Sequence, residues 1–119
     1  MKIGIITPMA EEKIALSAIL ENTETRQHGS TTITSGTYKN HEVMLTESGI
    51  GKVAAGSAAT VMIDNFNPDL IVNTGSAGAL DPDLKIGDEV IGTRIAYSDV
   101  DVTAFGYAYG QLPNKPLYY

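Results

Sequence analysis

The sequence predicts a three-layer α/β sandwich around a mixed central sheet, and two observations support that fold class. Short β-branched runs at residues 2–7 and 69–75 have the form of buried strands. Two segments between them predict helices: 9–22 has apolar residues near helical spacing, and 51–66 is rich in alanine and apolar residues. Strands that alternate with helices indicate parallel pairing in a sheet covered on both faces.

The individual elements follow from local signals. Pro8 ends the first strand, and Glu11 and Glu12 stand in the first turn of the first helix, where the helix dipole favours carboxylates. Residues 31–48 predict a hairpin with its turn at Lys39-Asn40, which makes the sheet mixed. Asn67-Pro68 ends the second helix.

The last third of the chain is less regular. Residues 87–99 are long and partly alternating, which predicts one more strand. After Val100 several aromatic residues stand among glycines and prolines with little periodicity. We expect residues 1–119 to form a single α/β domain, because this length supports one hydrophobic core but not two.

Composition excludes several classes of function. A net charge of -6 argues against a nucleic-acid or anionic-membrane partner, both of which require basic surfaces. The absence of cysteine excludes disulfides, thiolate chemistry and cysteine-based zinc sites. No apolar run is long enough for a bilayer, and the N-terminal stretch lacks the form of a signal peptide. We therefore expect a cytoplasmic protein.

Three segments place suggestive residues where predicted strands end. They are 9–12, 48–52 and 74–78. In open α/β sheets ligands bind beyond the carboxyl ends of the strands, so these segments are candidates for one site.

The segment SGIGKVAA, residues 48–55, is a loose match to the dinucleotide-binding fingerprint. The fingerprint also requires an acid at the end of the next strand, but the only acid there, Asp69, stands at its beginning. A phosphate-binding P-loop is excluded because its first glycine is missing and Val53 follows the lysine. A tight glycine turn into a helix explains the segment equally well.

Ser76 lies in a sequence close to the nucleophile elbow of hydrolases, but Thr74 stands where that motif has glycine. Both histidines, His28 and His41, precede the serine, whereas the hydrolase order places the base after it. Ser76 is therefore interpreted as a hydroxyl that positions a ligand, with a solvated serine in a glycine-rich turn as the alternative.

Glu11 and Glu12 cannot both serve a site at the strand ends, because neighbouring helical residues point about 100° apart. At most one can face the strand ends, and the other should be solvated. The alternative is that both only stabilise the helix dipole.

Five motifs in order along the chain resemble 5′-methylthioadenosine/S-adenosylhomocysteine nucleosidase, of the nucleoside phosphorylase superfamily. They are KIGII followed by M.EE, SGIGKVAA, DLIVNTGSAGAL, GDEVI and DVTAFGYAYGQLP. The resemblance implies hydrolysis of the N-glycosidic bond of either nucleoside, in methionine salvage, releasing adenine and a 5-thio-substituted ribose. It also implies a homodimer and no metal or organic cofactor.

The resemblance assigns roles to particular residues. Glu12 is the catalytic residue that holds and activates the attacking water, and Ser76 lies near that water and the ribose. The other implied substrate-binding residues are Met9 and Ile50 near the sugar and thioalkyl group, the Ala77-Gly78 backbone along the nucleoside, and Val102, Phe105 and Pro113 in an apolar 5′-pocket that reaches the neighbouring subunit's site.

The chain departs from the family pattern at a few positions and in length. Thr7 and Pro8 replace a common Gly-Ala pair, another acid is usual at Ala10, and Ser98 stands where many members have histidine. Members are roughly twice as long, and their second half supplies the general acid for adenine. We therefore expect an N-terminal portion of a nucleosidase, weakly active or inactive alone. No motif assigns the acid to an available carboxylate, namely Asp81, Asp83, Asp88, Asp99 or Asp101.

Three other functions stay open. A phosphate-dependent nucleoside phosphorylase would require arginines near the ribose, and the chain has only Arg26 and Arg94, outside the glycine-rich turns. A non-catalytic nucleoside-binding or dimerisation module would bind without turnover. A dinucleotide oxidoreductase is disfavoured by the misplaced acid.

Overall fold

A computed structural model describes residues 1–119, which divide into two compact units, Met1–Gly78 and Ala79–Tyr119. The first unit contains all the regular strands and both α-helices. In chain order these elements are β1 (Lys2–Thr7), α1 (Ala10–Ser17), β2 (Glu21–His28), β3 (Thr31–Tyr38), β4 (His41–Glu47), α2 (Lys52–Phe66) and β5 (Leu70–Asn73).

The five strands form one mixed sheet in the order β2-β3-β4-β1-β5. The central strand β1 is parallel to both neighbours, with Ile5 opposite Leu45 of β4 and Val72 of β5. Strand β3 is antiparallel to both of its neighbours, β2 and β4. The predicted hairpin is confirmed as β3–β4, and its turn contains Lys39 with a positive φ of 51°.

Helix α2 covers one face of the sheet. Ile6, Ile33 and Met44 project from three strands onto that face and pack against Met62 of α2. Gly4 lies beneath the same methionine, and any side chain on Gly4 would overlap the Met62 thioether. The close approach of this helix therefore depends on the missing side chain of Gly4.

Helix α1 lies against the opposite face of the sheet. Residues that alternate with those under α2 point to this face. Val43 and Leu45 belong to this face, and Leu45 is fully buried. Leu16 of α1 and the following Ile19 and Leu20 line an apolar groove with them. Two helices on opposite faces of a mixed sheet confirm the predicted three-layer arrangement.

The predicted helix at 9–22 was too long, and a strand beyond it was missed. Helix α1 ends at Ser17, and the chain from Glu21 to His28 forms the edge strand β2. Every residue of β2 before His28 is exposed. The sequence of β2 shows no hydrophobic alternation, because backbone pairing with β3 rather than burial holds this strand. The strand was missed for that reason.

The predicted strand at 69–75 is confirmed as β5, but the expectation that it is buried was wrong. It is an edge strand of four residues, and Leu70, Ile71 and Val72 keep 48%, 36% and 38% of their surface exposed. Only β1 pairs with it, and no strand lies on its other side. The apolar run thus predicted the strand correctly but did not predict how exposed its side chains are.

The strand predicted at 87–99 is not formed, which corrects that expectation. Within this stretch, Ile95 exchanges two main-chain hydrogen bonds of 3.1 and 2.9 Å with Tyr119. Val90 and Ile91 remain exposed. Alternation leads to a strand only where a neighbouring strand pairs with it along its length, and no regular strand is formed in this stretch.

The second unit, 79–119, consists of turns and one 3₁₀ turn at Thr103–Phe105. Asp101 fixes the start of that turn, since its carboxylate accepts bonds from the Thr103 hydroxyl at 2.7 Å and main-chain N–H at 3.1 Å. The Tyr109 hydroxyl donates to the Ser98 carbonyl at 2.8 Å.

Neither helix of the chain has the length and apolar character needed to cross a membrane.

Candidate active site

The carboxyl ends of the three parallel strands lie side by side and hold three turns together. The carbonyl of Thr7, at the end of β1, accepts the Ser48 N–H at 2.8 Å. The carbonyl of Ile6 accepts the Thr74 N–H at 3.0 Å. The segments after β1, β4 and β5 therefore meet at the carboxyl end of the parallel strands, as the sequence predicts.

The turn after β1 positions the first candidate side chain. Met9 is the N-cap of α1 and has an extended backbone, and Glu12 is the third residue of the helix. Glu11 is exposed, whereas Glu12 is half-buried. The neighbouring carboxylates thus point in different directions, and only Glu12 faces the strand ends.

Glu12 and Ser76 are joined by two hydrogen bonds across the site. Both end on the same carboxylate oxygen, Oε1, which accepts the Ser76 main-chain N–H at 2.7 Å and the Ser76 hydroxyl at 2.9 Å. The other oxygen, Oε2, is buried and has no hydrogen-bond partner. Ser76 therefore anchors the carboxylate through one oxygen, while no protein group lies at hydrogen-bond geometry to the other.

These contacts keep Glu12 ionised. The Ser76 main-chain N–H makes the largest contribution and lowers the pKa of the Glu12 carboxyl below its ordinary value. Partial burial opposes this shift, while the Ser76 hydroxyl and the Met9 N–H add to it. At neutral pH the site therefore presents an anion that can accept a proton from water or stabilise positive charge.

The turn after β4 is a tight glycine turn. Gly49 and Gly51 both have positive φ, 79° and 107°, and Ile50 between them is 82% exposed. The Ser48 hydroxyl donates to the Gly49 carbonyl at 2.8 Å, which fixes the start of the turn. The predicted position between a strand and a helix is confirmed, since α2 begins at Lys52.

The acid that a dinucleotide site requires is far from this turn. Asp69 precedes β5 and accepts the Lys2 main-chain N–H at 2.7 Å, at the amino ends of the strands. No group of three or more His, Asp or Glu side chains is arranged to hold a metal ion. The chemistry available at the edge is that of Glu12 and the surrounding turns.

The segment after β5 has no regular structure, and its residues 75–78 are exposed. A surface made of small residues and main chain thus borders the Glu12 carboxylate and is not covered by packed protein. Such a surface allows a flat ligand to approach the backbone closely.

The predicted site residues divide between the two units. Glu12 and Ser76 are in direct contact, and Met9 and Ile50 lie in the turns at the same edge of the sheet. Ala77 and Gly78 follow Ser76 and are exposed. The remaining three belong to the second unit, where Val102 is half-buried and Phe105 and Pro113 are exposed.

Sequence reasoning missed the particular importance of Gly75, which was seen only as one of several small residues. In the structure a side chain at this position would meet the Glu12 carboxylate and the Pro8 ring. No local sequence signal indicates this contact, because the glycine and the glutamate are far apart in the chain and meet only through the sheet.

Comparison with known proteins connects this geometry to one family. A family model described as the phosphorylase superfamily matches residues 2–119. The 5′-methylthioadenosine/S-adenosylhomocysteine nucleosidase of Bacillus licheniformis is 48% identical over 119 residues, which are 100% of this chain and 52% of the relative. The chain therefore spans about half the length of the curated relatives it matches.

Solved structures of such nucleosidases have the same fold over this half. The Streptococcus pyogenes S-adenosylhomocysteine nucleosidase in complex with 5-methylthiotubericidin superimposes with a TM-score of 0.94 at 47% identity, covering 100% of this chain and 50% of that one. The Colwellia psychrerythraea nucleosidase in complex with adenine gives 0.95 at 45% identity, covering 99% and 49%.

These comparisons confirm both the resemblance found in the sequence and the predicted fold class, here one half of the relatives' fold. The matches run through the motifs at all three turns, and the family model extends over nearly every residue. The chain belongs to the phosphorylase superfamily.

Proposed function

We propose that the protein carrying this sequence hydrolyses the N-glycosidic bond of 5′-methylthioadenosine and S-adenosylhomocysteine, releasing adenine and a 5-thio-substituted ribose. One observation carries the proposal. The Glu12 carboxylate is anchored through Oε1 by Ser76, while Oε2 is buried and accepts no hydrogen bond. Nucleosidases of this name are the relatives that the chain matches.

Glu12 has the properties that this reaction requires of a general base. Breaking a ribosyl C–N bond develops positive charge on the sugar, which a nearby carboxylate stabilises. The Glu12 carboxylate binds the attacking water and accepts its proton as the new C–O bond forms. The lowered pKa of Glu12 keeps it anionic at neutral pH, before that proton arrives.

The turns around Glu12 supply the nucleoside site in this proposal. The Ser76 hydroxyl lies near the water and the ribose, and the exposed Ala77-Gly78 backbone runs along the nucleoside. Met9 and Ile50 contact the sugar and the thioalkyl group. Ile50 is free to do so because 82% of its surface is exposed.

The second unit contributes to recognition of the 5′ substituent. Val102, Phe105 and Pro113 form an apolar wall for the thioether tail in the neighbouring subunit's site of a homodimer. Phe105 is 81% exposed, and burial of such an aromatic residue against a ligand or a second subunit is favourable. No metal or organic cofactor takes part, and residues 1–119 act as the N-terminal portion of one α/β nucleosidase domain.

A chimera tests this function directly. Residues 1–119 replace the matching half of the Bacillus licheniformis nucleosidase, and adenine release from methylthioadenosine is measured with and without phosphate. We expect release without phosphate in the chimera, and little or none from the 119-residue chain alone. In Glu12→Gln the chimera should be slower by about 10²–10⁴-fold, because the general base is removed.

The controls separate folding from chemistry. The matched variant is Glu11→Gln, which changes the exposed neighbour of the catalytic residue and should retain full activity. Strict dependence on phosphate would instead identify a phosphorylase. Within residues 1–119 neither arginine lies in the three turns, since Arg26 lies on edge strand β2 paired with Glu24 at 2.9 Å, and Arg94 stacks over Tyr118.

A non-catalytic nucleoside-binding module is the second candidate, and one observation favours it. The carboxylates of Asp81, Asp88 and Asp101 accept main-chain hydrogen bonds within their own turns. They are therefore occupied locally rather than poised to protonate a leaving adenine. Nucleoside binding without turnover in the chimera, unchanged by Glu12→Gln, would establish this alternative.

A further inference from the structure

Gly75 is enclosed by atoms of helix α1 and of the turn that precedes it. A β-carbon built on Gly75 would lie 3.2 Å from Glu12 Oε1, 3.3 Å from Glu12 Oε2 and 3.2 Å from Cδ of Pro8. All three contacts are tighter than nine in ten contacts of real β-carbons, so the neighbouring atoms would have to move by a few tenths of an ångström. The Glu12 carboxylate and the Pro8 ring therefore occupy space that a methyl group on residue 75 would need.

The backbone of Gly75 does not itself require glycine. Gly75 is absent from the glycines with positive φ, which include Gly49 and Gly51 of the neighbouring turn. Residues with side chains can adopt its conformation. The constraint on position 75 is consequently one of space, and the space is defined by Glu12 and Pro8.

The two sides of this space cannot easily move. Glu12 Oε1 accepts two hydrogen bonds from Ser76, at 2.7 and 2.9 Å, so retreat from a methyl group would lengthen them. Cδ of Pro8 belongs to a ring closed onto the backbone next to the N-cap Met9, so no side-chain rotation moves it away. The free oxygen, Oε2, is the atom that would yield.

We propose that Gly75 is a positioning residue for Glu12: with no side chain at residue 75, the Ser76 N–H and hydroxyl hold the Glu12 carboxylate through Oε1 in the orientation in which it activates the reacting water. The catalytic part of this inference rests on the proposed function. The positional part concerns the ligand-free chain and stands by itself.

The test follows the Glu12 carboxyl in the 119-residue chain by ¹³C NMR across a pH titration, without any nucleoside. In Gly75→Ala the titration midpoint of Glu12 should move upward, because the bonds from Ser76 that favour the anion are stretched. The coupled change in the Ser76 amide signal should shrink as well. A wild-type midpoint and a wild-type Ser76 signal in Gly75→Ala would overturn the proposal.

A rescue variant and a control sharpen this result. Pro8→Ala added to Gly75→Ala removes Cδ and gives the new methyl group room, so the midpoint should return toward the wild-type value. Gly78→Ala, three residues away, introduces a methyl group with no atom within 4 Å and should leave the Glu12 titration unchanged. An equal shift in Gly78→Ala would show a general effect on the turn and reject a specific contact.

A double-mutant cycle covers the case in which Gly75→Ala is too unstable to titrate. Crowding against Glu12 predicts that Gly75→Ala lowers the melting temperature less in a Glu12→Ala background than in the wild type. An equal fall in both backgrounds would refute the contact. None of these measurements uses turnover, so a chimera that fails to release adenine would reject the proposed function and leave this inference to be decided separately.

Discussion

Two glycine-containing turns meet at the same edge of the sheet, and glycine has a different purpose in each. In the turn after β4, Gly51 has φ 107° and ψ 156°, a backbone conformation essentially restricted to glycine. After β5, Gly75 has an ordinary backbone, but its missing side chain makes room for Glu12. Conformation explains the first glycine and packing the second.

This difference shows what a run of small residues can mean. A glycine needed for its φ affects the stability of its own turn, whatever surrounds it. A glycine needed for space affects the neighbour that fills the space, which here is the candidate catalytic carboxylate. Substitutions in the two turns should therefore have separable effects on stability and on the chemistry of Glu12.

Among the substitutions that compare the two turns, the largest effect is expected from shortening the side chain that the second turn holds. Glu12→Asp withdraws the carboxylate by one methylene and breaks its contact with Ser76. Displacement of a catalytic group by about 1 Å can reduce the rate by about 100-fold, and we expect a loss of this size in adenine release by the chimera. Glu11→Asp is the matched control, and comparable loss in both variants would contradict the distinction between the two carboxylates.

Substitution in the first turn should alter stability instead. Gly51→Ala forces a side chain into a strained backbone conformation at a cost of about 1–3 kcal/mol. Urea unfolding of the 119-residue chain measures this loss, while the NMR titration of Glu12 should remain that of the wild type. An unchanged unfolding midpoint would show that position 51 is not conformationally restricted.

The pH dependence of stability provides a third comparison. The pKa of Glu12 is lowered in the folded chain, mainly by the Ser76 N–H, so its ionised form stabilises the fold above its ordinary pKa. That contribution is lost as the pH falls below about 4.3 and through the folded-state value. Wild type and Glu12→Gln should therefore differ in urea midpoint at neutral pH and converge in acid.

This comparison also removes the contribution of Asp101. The Thr103 hydroxyl, followed by the Thr103 N–H, lowers the pKa of Asp101 in the folded chain. Since Asp101 is present in both proteins, its effect cancels in their difference. A difference that stays constant with pH would contradict the stabilising role of the Glu12–Ser76 contact.

The smallest change in stability is expected at the end of the second turn. Gly78 has neither a positive φ nor an atom within 4 Å of an added β-carbon. Gly78→Ala should alter the free energy of unfolding by no more than about 0.5 kcal/mol. In the chimera it should nevertheless raise KM for methylthioadenosine, because the nucleoside is proposed to lie against this backbone, and an unchanged KM would argue against that placement.

The sequence predicted the fold class and the edge of the site because both depend on local patterns. The β-branched run at β1 and the helical spacing of α2 are local, and strand ends locate ligand sites in α/β sheets. The end of α1 was not predictable from local patterns. The polar strand β2 that follows it forms through backbone pairing with β3, which leaves no hydrophobic pattern in the sequence.

Contacts between distant residues marked the limit of prediction within the site. The resemblance gave Glu12 and Ser76 neighbouring roles, but neither the double hydrogen bond to one oxygen nor the enclosure of Gly75 can be read from spacing. Both depend on the register of β1 with β5, which brings residue 6 opposite residue 73. The same limitation explains the strand wrongly expected at 87–99, where alternation was present but no regular strand formed.

The hairpin turn at Lys39-Asn40 lies at the end of the sheet opposite the candidate site. There β4 begins beside Lys2, at the amino end of β1. The turn is exposed, and the full length of β4 separates it from the candidate site. This loop is therefore a practical attachment point: an affinity peptide or fluorophore inserted between residues 39 and 40 would report on the protein from the side away from Glu12.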